Sequence, residues 1–310
     1  TMEPPFYPSV RGKLLLTVGF LAMIMANSQE NPGKQFKMTV RNELTKDVTL
    51  FWEEEIDQYR HEVGLVKSHG GEAIFDAFAG HLFSYVHKNE RHFVEAFAPA
   101  DAEEGHFVVL NANEEDILVR CATTAKGREE PERLIDFHVR PNWSPRGAAR
   151  FLSLIRHKHY DGVAINRVVK NFLTQFGIPS NPETRLELGS LEFQDDPNVG
   201  IPFEPGMLSF AGNGKNSRTT EVFVVMPDCI HLSSFGKEPW ETPFGFVGSF
   251  EESVVTDWYD GYGDMPPDGN GPDPQKIYPE NGYEYLEKEF PKMDYINECI
   301  VVKDFLDEEL

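Results

Sequence analysis

Positive charge is scarce in this chain of 310 residues: 29 Lys and Arg stand against 51 Asp and Glu, for a formal net charge of −22. Such a surface repels polyanions, which excludes nucleic acid and anionic lipid as partners. Cysteine is scarcer still. Cys121, Cys229 and Cys299 are widely spaced and form no CxxC pair, so neither a zinc ribbon nor a thioredoxin-type site is supported. One disulfide is possible, and spacing does not choose it. His81, His87 and His92 lack paired ligand spacing and cysteine partners, which argues against a metal centre. The aspartates Asp257, Asp260, Asp264, Asp268 and Asp273 do not keep EF-hand spacing and are interrupted by Pro266-Pro267, so they read as a solvated loop. Gly212-Asn213-Gly214-Lys215 lacks the GxxxxGK spacing of a phosphate loop. No metal and no cofactor is called for.

Long apolar runs are also lacking. The stretch from Leu14 to Ala26 is too short for an ordinary membrane span. Arg11 and Lys13 precede it, and the small residues Ala26 and Ser28 close it, so residues 1–28 read as a signal peptide, with a signal anchor as the alternative. The acidic tail 304–310 ends in Asp307-Glu308-Glu309-Leu310, a faint echo of a retrieval signal. The expected location is the secretory pathway, either the endoplasmic reticulum lumen or outside the cell.

What the chain does have is enough apolar residue for a packed core, 40% hydrophobic and 12% aromatic. Residues 29–35 read as a linker. From Phe36 the texture is β: Phe36, Met38 and Val40 alternate with Lys37, Thr39 and Arg41, and Val48, Leu50 and Trp52 keep the same period. Ala73, Phe75, Ala77 and Ala79, and later Phe107 and Val109, continue it, so residues 36–121 are expected to form a small β-sandwich. Residues 122–131 are small, charged and turn-rich and are read as a second linker. Ser144-Pro145 opens a helix, with Ser144 as its cap and an apolar stripe of Ala148, Phe151, Leu152 and Ile155. Short strands follow over residues 163–176, 207–210 and 221–226, then a loop over 257–274, a helical stretch over 283–290 and a closing strand over 300–302. A helix among many short strands suits a closed barrel with helical caps.

The run Asp161-Gly162-Val163-Ala164-Ile165-Asn166-Arg167-Val168-Val169-Lys170-Asn171-Phe172-Leu173-Thr174-Gln175-Phe176-Gly177 resembles the active-site strand pair of the cyclophilins, whose pattern is roughly F-x-R-V-V/I-x-x-F-M/L-x-Q-x-G. Leu208 to Asn213 and Ser217 to Phe223 resemble that family's second signature, and Pro243-Phe244-Gly245 its third. Gly147, Ala149, Arg150 and Phe151 fit the preceding helix. The resemblance implies a mainly β fold: a closed antiparallel cyclophilin-like barrel capped by helices over 132–303, preceded by the sandwich. It also implies a peptidyl-prolyl cis-trans isomerase acting on proline-containing polypeptides and assisting their folding. Arg167 would be the catalytic guanidinium, with Phe172 and Gln175 beside it. Leu173, Ala211, Phe223 and Trp240 would bind substrate. The chain departs from the family at Asn166 (often His), Leu173 (often Met), Gly212 (often Asn), Glu221 (often Gln) and Val222 (often Phe). Residues 232–242 do not align, which leaves open whether Trp240 or Glu241 faces the pocket.

Residues 36–111 are weakly similar to the β-domain of the von Hippel–Lindau tumour suppressor, through Asn42, Val48 and Trp52 and through Gly80-His81-Leu82-Phe83. That family binds a hydroxyproline peptide on the matching face, here Trp52, His81 and Phe83. Asp76 and Ala77 stand where the family has His and Ser, which argues against hydroxyproline capture and leaves a peptide ligand of another kind. The alternative function for the whole chain is a Pro-peptide-binding protein without turnover, built on a cyclophilin-like scaffold with a sandwich adaptor.

Overall fold

A computed structural model describes residues 35–42, 44–55, 59–78, 80–87, 90–96, 107–110, 116–189, 191–196, 200–229, 232–238 and 240–302. The expected signal segment 1–28 and acidic tail 304–310 lie outside the described residues, as does nearly all of the linker 29–35.

The N-terminal part forms two sheets. Strands β1 (Gln35–Asn42), β4 (Gly71–Phe78) and β7 (Phe107–Leu110) make a three-stranded sheet in the order β4-β1-β7. Strands β2 (Val48–Glu55), β3 (Tyr59–Val66), β5 (Leu82–His87) and β6 (Glu90–Glu95) make a four-stranded one in the order β3-β2-β5-β6. Period-two alternation does what it should here. Met38, Val40, Val48, Leu50 and Trp52 are all buried. Asn42 pins the β1–β2 connection: its Nδ2 donates to the carbonyls of Lys46 and Val66 at 3.0 Å each, and its Oδ1 accepts from the Leu44 amide at 2.9 Å.

The C-terminal part is a strongly curled, nine-stranded half-barrel, mainly β and antiparallel. Its strands are β8 (Ile117–Ala125), β9 (Glu130–Val139), β10 (Val163–Ala164), β11 (Arg167–Val169), β12 (Leu173–Phe176), β13 (Met207–Phe210), β14 (Val222–Val225), β15 (Gly245–Val247) and β16 (Tyr295–Val301). The order is β10-β16-β8-β9-β15-β13-β14-β12-β11. The two end strands, β10 and β11, are consecutive in sequence, with only Ile165 and Asn166 between them. Helices α1 (Pro145–Arg156), α2 (Pro182–Leu188), α3 (Pro274–Ile277) and α4 (Gly282–Glu289) flank the sheet. Phe137, Phe151, Tyr160, Phe176, Leu208, Phe210, Val222, Val224 and Phe244 meet in its core.

Two expectations are corrected. The linker 122–131 does not exist: residues 122–125 finish β8, Lys126–Arg128 make one tight turn, and β9 begins at Glu130. Lys126, Gly127 and Arg128 all take positive φ in that turn (50°, 70° and 67°), and the pairing of β8 with β9 shifts register between Thr123 and Ala125. The boundary at 121/122 therefore falls inside a barrel strand, because β8 hydrogen-bonds to β9 and β16. Second, Ser144 does not cap α1. The Asp196 carboxylate accepts from the amides of Arg146 (2.7 Å) and Gly147 (3.0 Å), and Ser144 Oγ donates to the same group. A negative charge on the helix's unpaired N–H groups does the work of a cap from another segment. The expected apolar stripe of α1 is buried, and so is the rest of the helix from Arg146 to Ile155.

The cause of that burial is the four-stranded sheet, which packs on α1 through β6. Arg150 has no exposed side-chain surface and Glu95 of β6 has 3%. Arg150 Nε donates to both Glu95 oxygens at 2.7 and 2.8 Å, and Nη1 donates to the Leu191 carbonyl at 2.8 Å. Ser153 Oγ adds a bond to the Glu95 carbonyl at 3.3 Å. Residues 36–310 accordingly behave as a single compact unit. The register of β8 against β16 sets Cys121 directly opposite Cys299, and the two form a disulfide, leaving Cys229 free.

Candidate active site

The hairpin of β11 and β12 pairs Arg167 with Gln175, and β12 against β14 pairs Gln175 with Phe223. Directly opposed residues on adjacent strands point to the same face, so Arg167, Gln175 and Phe223 project together. Leu173 joins them two residues along β12. The alternate residues Phe176, Val222 and Val224 point into the barrel core. The site thus stands on the outer face, on backbone held by a rigid sheet. Asn171 turns the hairpin at a φ of 60°, and the Phe172 carbonyl accepts from the Met226 amide at 3.0 Å, which fixes Phe172 at the corner.

Arg167 is largely covered, with 14% of its side chain exposed. Its guanidinium carbon lies 5.4 Å from the Phe172 ring centre, a cation–π approach. Nη1 donates to Gln175 Oε1 at 3.3 Å. Gln175 Nε2 donates in turn to Glu221 Oε2 at 2.7 Å, and Tyr278 OH donates to Glu221 Oε1 at 2.7 Å. Glu221, standing at a frequent Gln position, therefore fixes which end of the Gln175 amide faces Arg167. Burial pushes the Glu221 carboxyl above its ordinary range, against the opposing pull of the Tyr278 and Gln175 bonds.

Beside the guanidinium is an apolar wall. Leu173, Phe203, Phe223 and Val225 form its buried part, and Phe172, Ala211, Met207, Leu232, Cys229 and Phe235 pack against it. Phe235 stacks 5.6 Å from Phe172 and 5.2 Å from Phe223, and Phe203 lies 5.4 Å from Phe235. The structure therefore brings together Arg167, Phe172, Leu173, Gln175, Ala211 and Phe223. Trp240 lies over Gly212, next to Ala211: a Cβ at Gly212 would come within 2.8 Å of Trp240 Cδ1. The indole fills the space that a larger residue at 212 would need. Glu241 turns back on its own loop, where its Oε2 accepts from the Gly236 amide at 3.0 Å. Asn166, at a frequent His position, is 3% exposed.

Sequence reading missed Phe203, Phe235, Tyr278 and Asp264. Phe235 sits in the segment that does not align. The solvated-loop expectation for these aspartates is corrected: Asp264 pairs with Arg167 and is 18% exposed, Asp273 caps α3, and Asp257 pairs with Arg133. In the sandwich, Trp52 stacks 5.4 Å from His61 and lies 5.2 Å from His81. Phe83 is 1% exposed and packs inward. Burial pushes the His81 imidazole down to about 4.

Residues 126–256 match the family model of cyclophilin type peptidyl-prolyl cis-trans isomerase/CLD. The C-terminal half therefore carries a cyclophilin-type domain. The chain is 29% identical over 92 residues to the peptidyl-prolyl cis-trans isomerase CYP65 of Arabidopsis thaliana, covering 29% of this chain and 16% of that protein. It is 27% identical over 128 residues to a Staphylococcus aureus (strain USA300) protein whose name assigns it provisionally the same activity, covering 40% of this chain and 64% of that one. It thus spans less than two thirds of either curated relative. Among solved structures, a cyclophilin type peptidyl-prolyl cis-trans isomerase of Cryptosporidium parvum matches 60% of this chain and 97% of its own at 17% identity and a TM-score of 0.40. The same protein in the presence of the dipeptide Ala-Pro matches at 16% identity, also with a TM-score of 0.40.

Proposed function

We propose that this chain is a peptidyl-prolyl cis-trans isomerase acting on X-Pro bonds in polypeptides and so assisting their folding. The observation that carries the reading is a largely covered guanidinium, Arg167, held beside Gln175 at the rim of the Phe172, Leu173 and Phe223 wall.

The chemistry asks for little more. An X-Pro amide isomerises slowly because its resonance must be lost, with a barrier of about 18–20 kcal/mol. No bond to a nucleophile and no proton transfer to solvent is required. The protein must bind the twisted amide better than either planar form. The apolar wall takes the proline ring. Arg167 donates an N–H to the prolyl nitrogen as it loses conjugation, and a fixed donor aimed at a developing lone pair favours the twisted state without reorganising. Gln175 and the backbone near Ala211 hold the flanking peptide. Trp240 borders that stretch through Gly212. The Cys121–Cys299 disulfide supports an oxidising compartment, in keeping with the secretory pathway. The half-buried His61 and His81, stacked on the buried Trp52, are the candidate seat for a peptide that tethers clients near the site.

The test is cis-trans exchange of a short X-Pro peptide, read by NMR exchange spectroscopy with the full chain and an Arg167→Ala variant. Wild-type acceleration that falls by at least ~100-fold in the variant is the expected result, the loss of a preorganised donor being worth about that much. A folded wild-type chain that binds the peptide without accelerating exchange leaves the second reading, a Pro-peptide binder without turnover. That reading draws on the carboxylate of Asp264, which already partners Arg167.

A further inference from the structure

Asp264 lies on the loop ahead of α3, 97 residues from Arg167 in sequence, yet it meets the guanidinium side-on. Nε donates to Oδ1 at 2.7 Å and Nη2 donates to Oδ2 at 3.1 Å. We propose that Asp264 is a positioning residue for the isomerisation proposed above: it holds the Nε edge of Arg167 and so aims the opposite edge at the X-Pro bond. The inference rests on that functional reading.

The donor count shows what the pairing does. A guanidinium has five N–H groups in one plane. Among the described residues, Asp264 takes two of them and Gln175 takes one. The two that remain sit on Nη1 and Nη2, at the end away from the carboxylate. A bidentate pair fixes the plane as well as the position of the group, which one hydrogen bond to Gln175 does not. Donors held by an outer set of partners are the ones that stay aimed when substrate arrives.

The carboxylate is itself seated. Its Oδ1 accepts from the Met265 amide at 2.7 Å, and the Asp264 carbonyl accepts from the Gly271 amide at 2.7 Å. Gly269 and Gly271 close over it: a Cβ on either would come within 2.2 and 2.9 Å of the Asp264 carbonyl oxygen. A β-bridge between Val168 and Gly263 ties the loop to the strand that carries Arg167. The aspartate and the arginine are thus fixed to the same backbone, with 18% and 14% of their side chains exposed.

The experiment uses the full chain as wild type, Asp264→Ala, Asp264→Asn and Asp264→Glu. It measures kcat and KM for an X-Pro peptide together with the Arg167 Nε–H signal in the 1H–15N spectrum. Asp264→Ala is expected to lower kcat by about 10- to 100-fold, as misplacement of a catalytic group does, with KM little changed. The Arg167 Nε–H signal is expected to be protected in wild type and lost in Asp264→Ala, while the backbone amide spectrum persists. Asp264→Asn keeps the shape of the loop and guards against a folding defect; it is expected to lose part of the rate, and Asp264→Glu to recover part. An active wild type with an equal or faster Asp264→Ala overturns this role alone, and the carboxylate is then a competitor for the arginine. An inactive wild type overturns the isomerase reading and this role with it.

Discussion

Breaking the Glu95–Arg150 pair should cost far more than its place between two nominal domains suggests. In Glu95→Ala, Arg150 keeps its charge with no exposed surface and loses both carboxylate bonds, retaining carbonyl partners on Nη1. Removing one member of a buried pair costs about 3–5 kcal/mol, because an uncompensated charge is left behind. Against a total stability of about 5–15 kcal/mol, that is a large fraction. Replacing both members by apolar residues, Glu95→Leu with Arg150→Met, removes the desolvation penalty along with the attraction. The double variant should therefore be more stable than Glu95→Leu or Arg150→Met alone. Urea unfolding followed by near-ultraviolet circular dichroism gives the four free energies of the cycle. In wild type the sandwich and barrel should unfold in one transition, since α1 is buried by both. Additive losses, a cost in Glu95→Ala below about 1 kcal/mol, the scale of an exposed pair, or two separate wild-type transitions would refute the reasoning.

Two further predictions follow from burial and connectivity. The Cys121–Cys299 bridge closes a span of 178 residues, for which chain entropy gives up to about 5 kcal/mol; the unreduced protein should yield one alkylatable thiol after denaturation, Cys229, and a count of three would refute the bridge. His159 is 3% exposed, its Nε2 lies 3.1 Å from the Gly177 carbonyl, and burial pushes its imidazole down to about 4. Its folded value lies below its unfolded value of about 6.5, so its contribution is complete above about 6.5 and is lost as pH falls toward 4, by up to about 3 kcal/mol. Stability against urea measured across that window should show a slope that His159→Asn reduces, the His81 imidazole contributing over the same range; an unchanged slope would count against it.

The hairpin of β11 and β12 was readable because its information is local. Arg167, Phe172 and Gln175 lie within nine residues, and strand alternation alone places Arg167 and Gln175 on one face once the turn is at Asn171. The strands of the sandwich were readable for the same reason, since Met38, Val40, Val48 and Leu50 carry their burial in a period of two. The linker reading failed because small and charged residues suit a hairpin turn as well as a tether, and only the hydrogen bonds of β8 to β16 separate the two. The apolar stripe of α1 was visible, but the burial of its other face was not. That face holds Arg150, whose partner lies 55 residues away.

The sequence by itself determined which segments alternate, where the chain turns, and which side chains bring isomerase-like chemistry to one strand pair. These depend on neighbours within a few residues, where covalent geometry already sets the facing direction. Tertiary structure alone decided what meets those side chains. It set Asp264 on Arg167 across 97 residues, Tyr278 on Glu221 across 57, and Cys299 opposite Cys121 across 178. It also stacked Phe235 between Phe172 and Phe223. Such contacts depend on the order and register of strands around the curled sheet, and a slip of one residue in that register would turn strand residues such as Arg167, Phe223 and Cys121 to the opposite face.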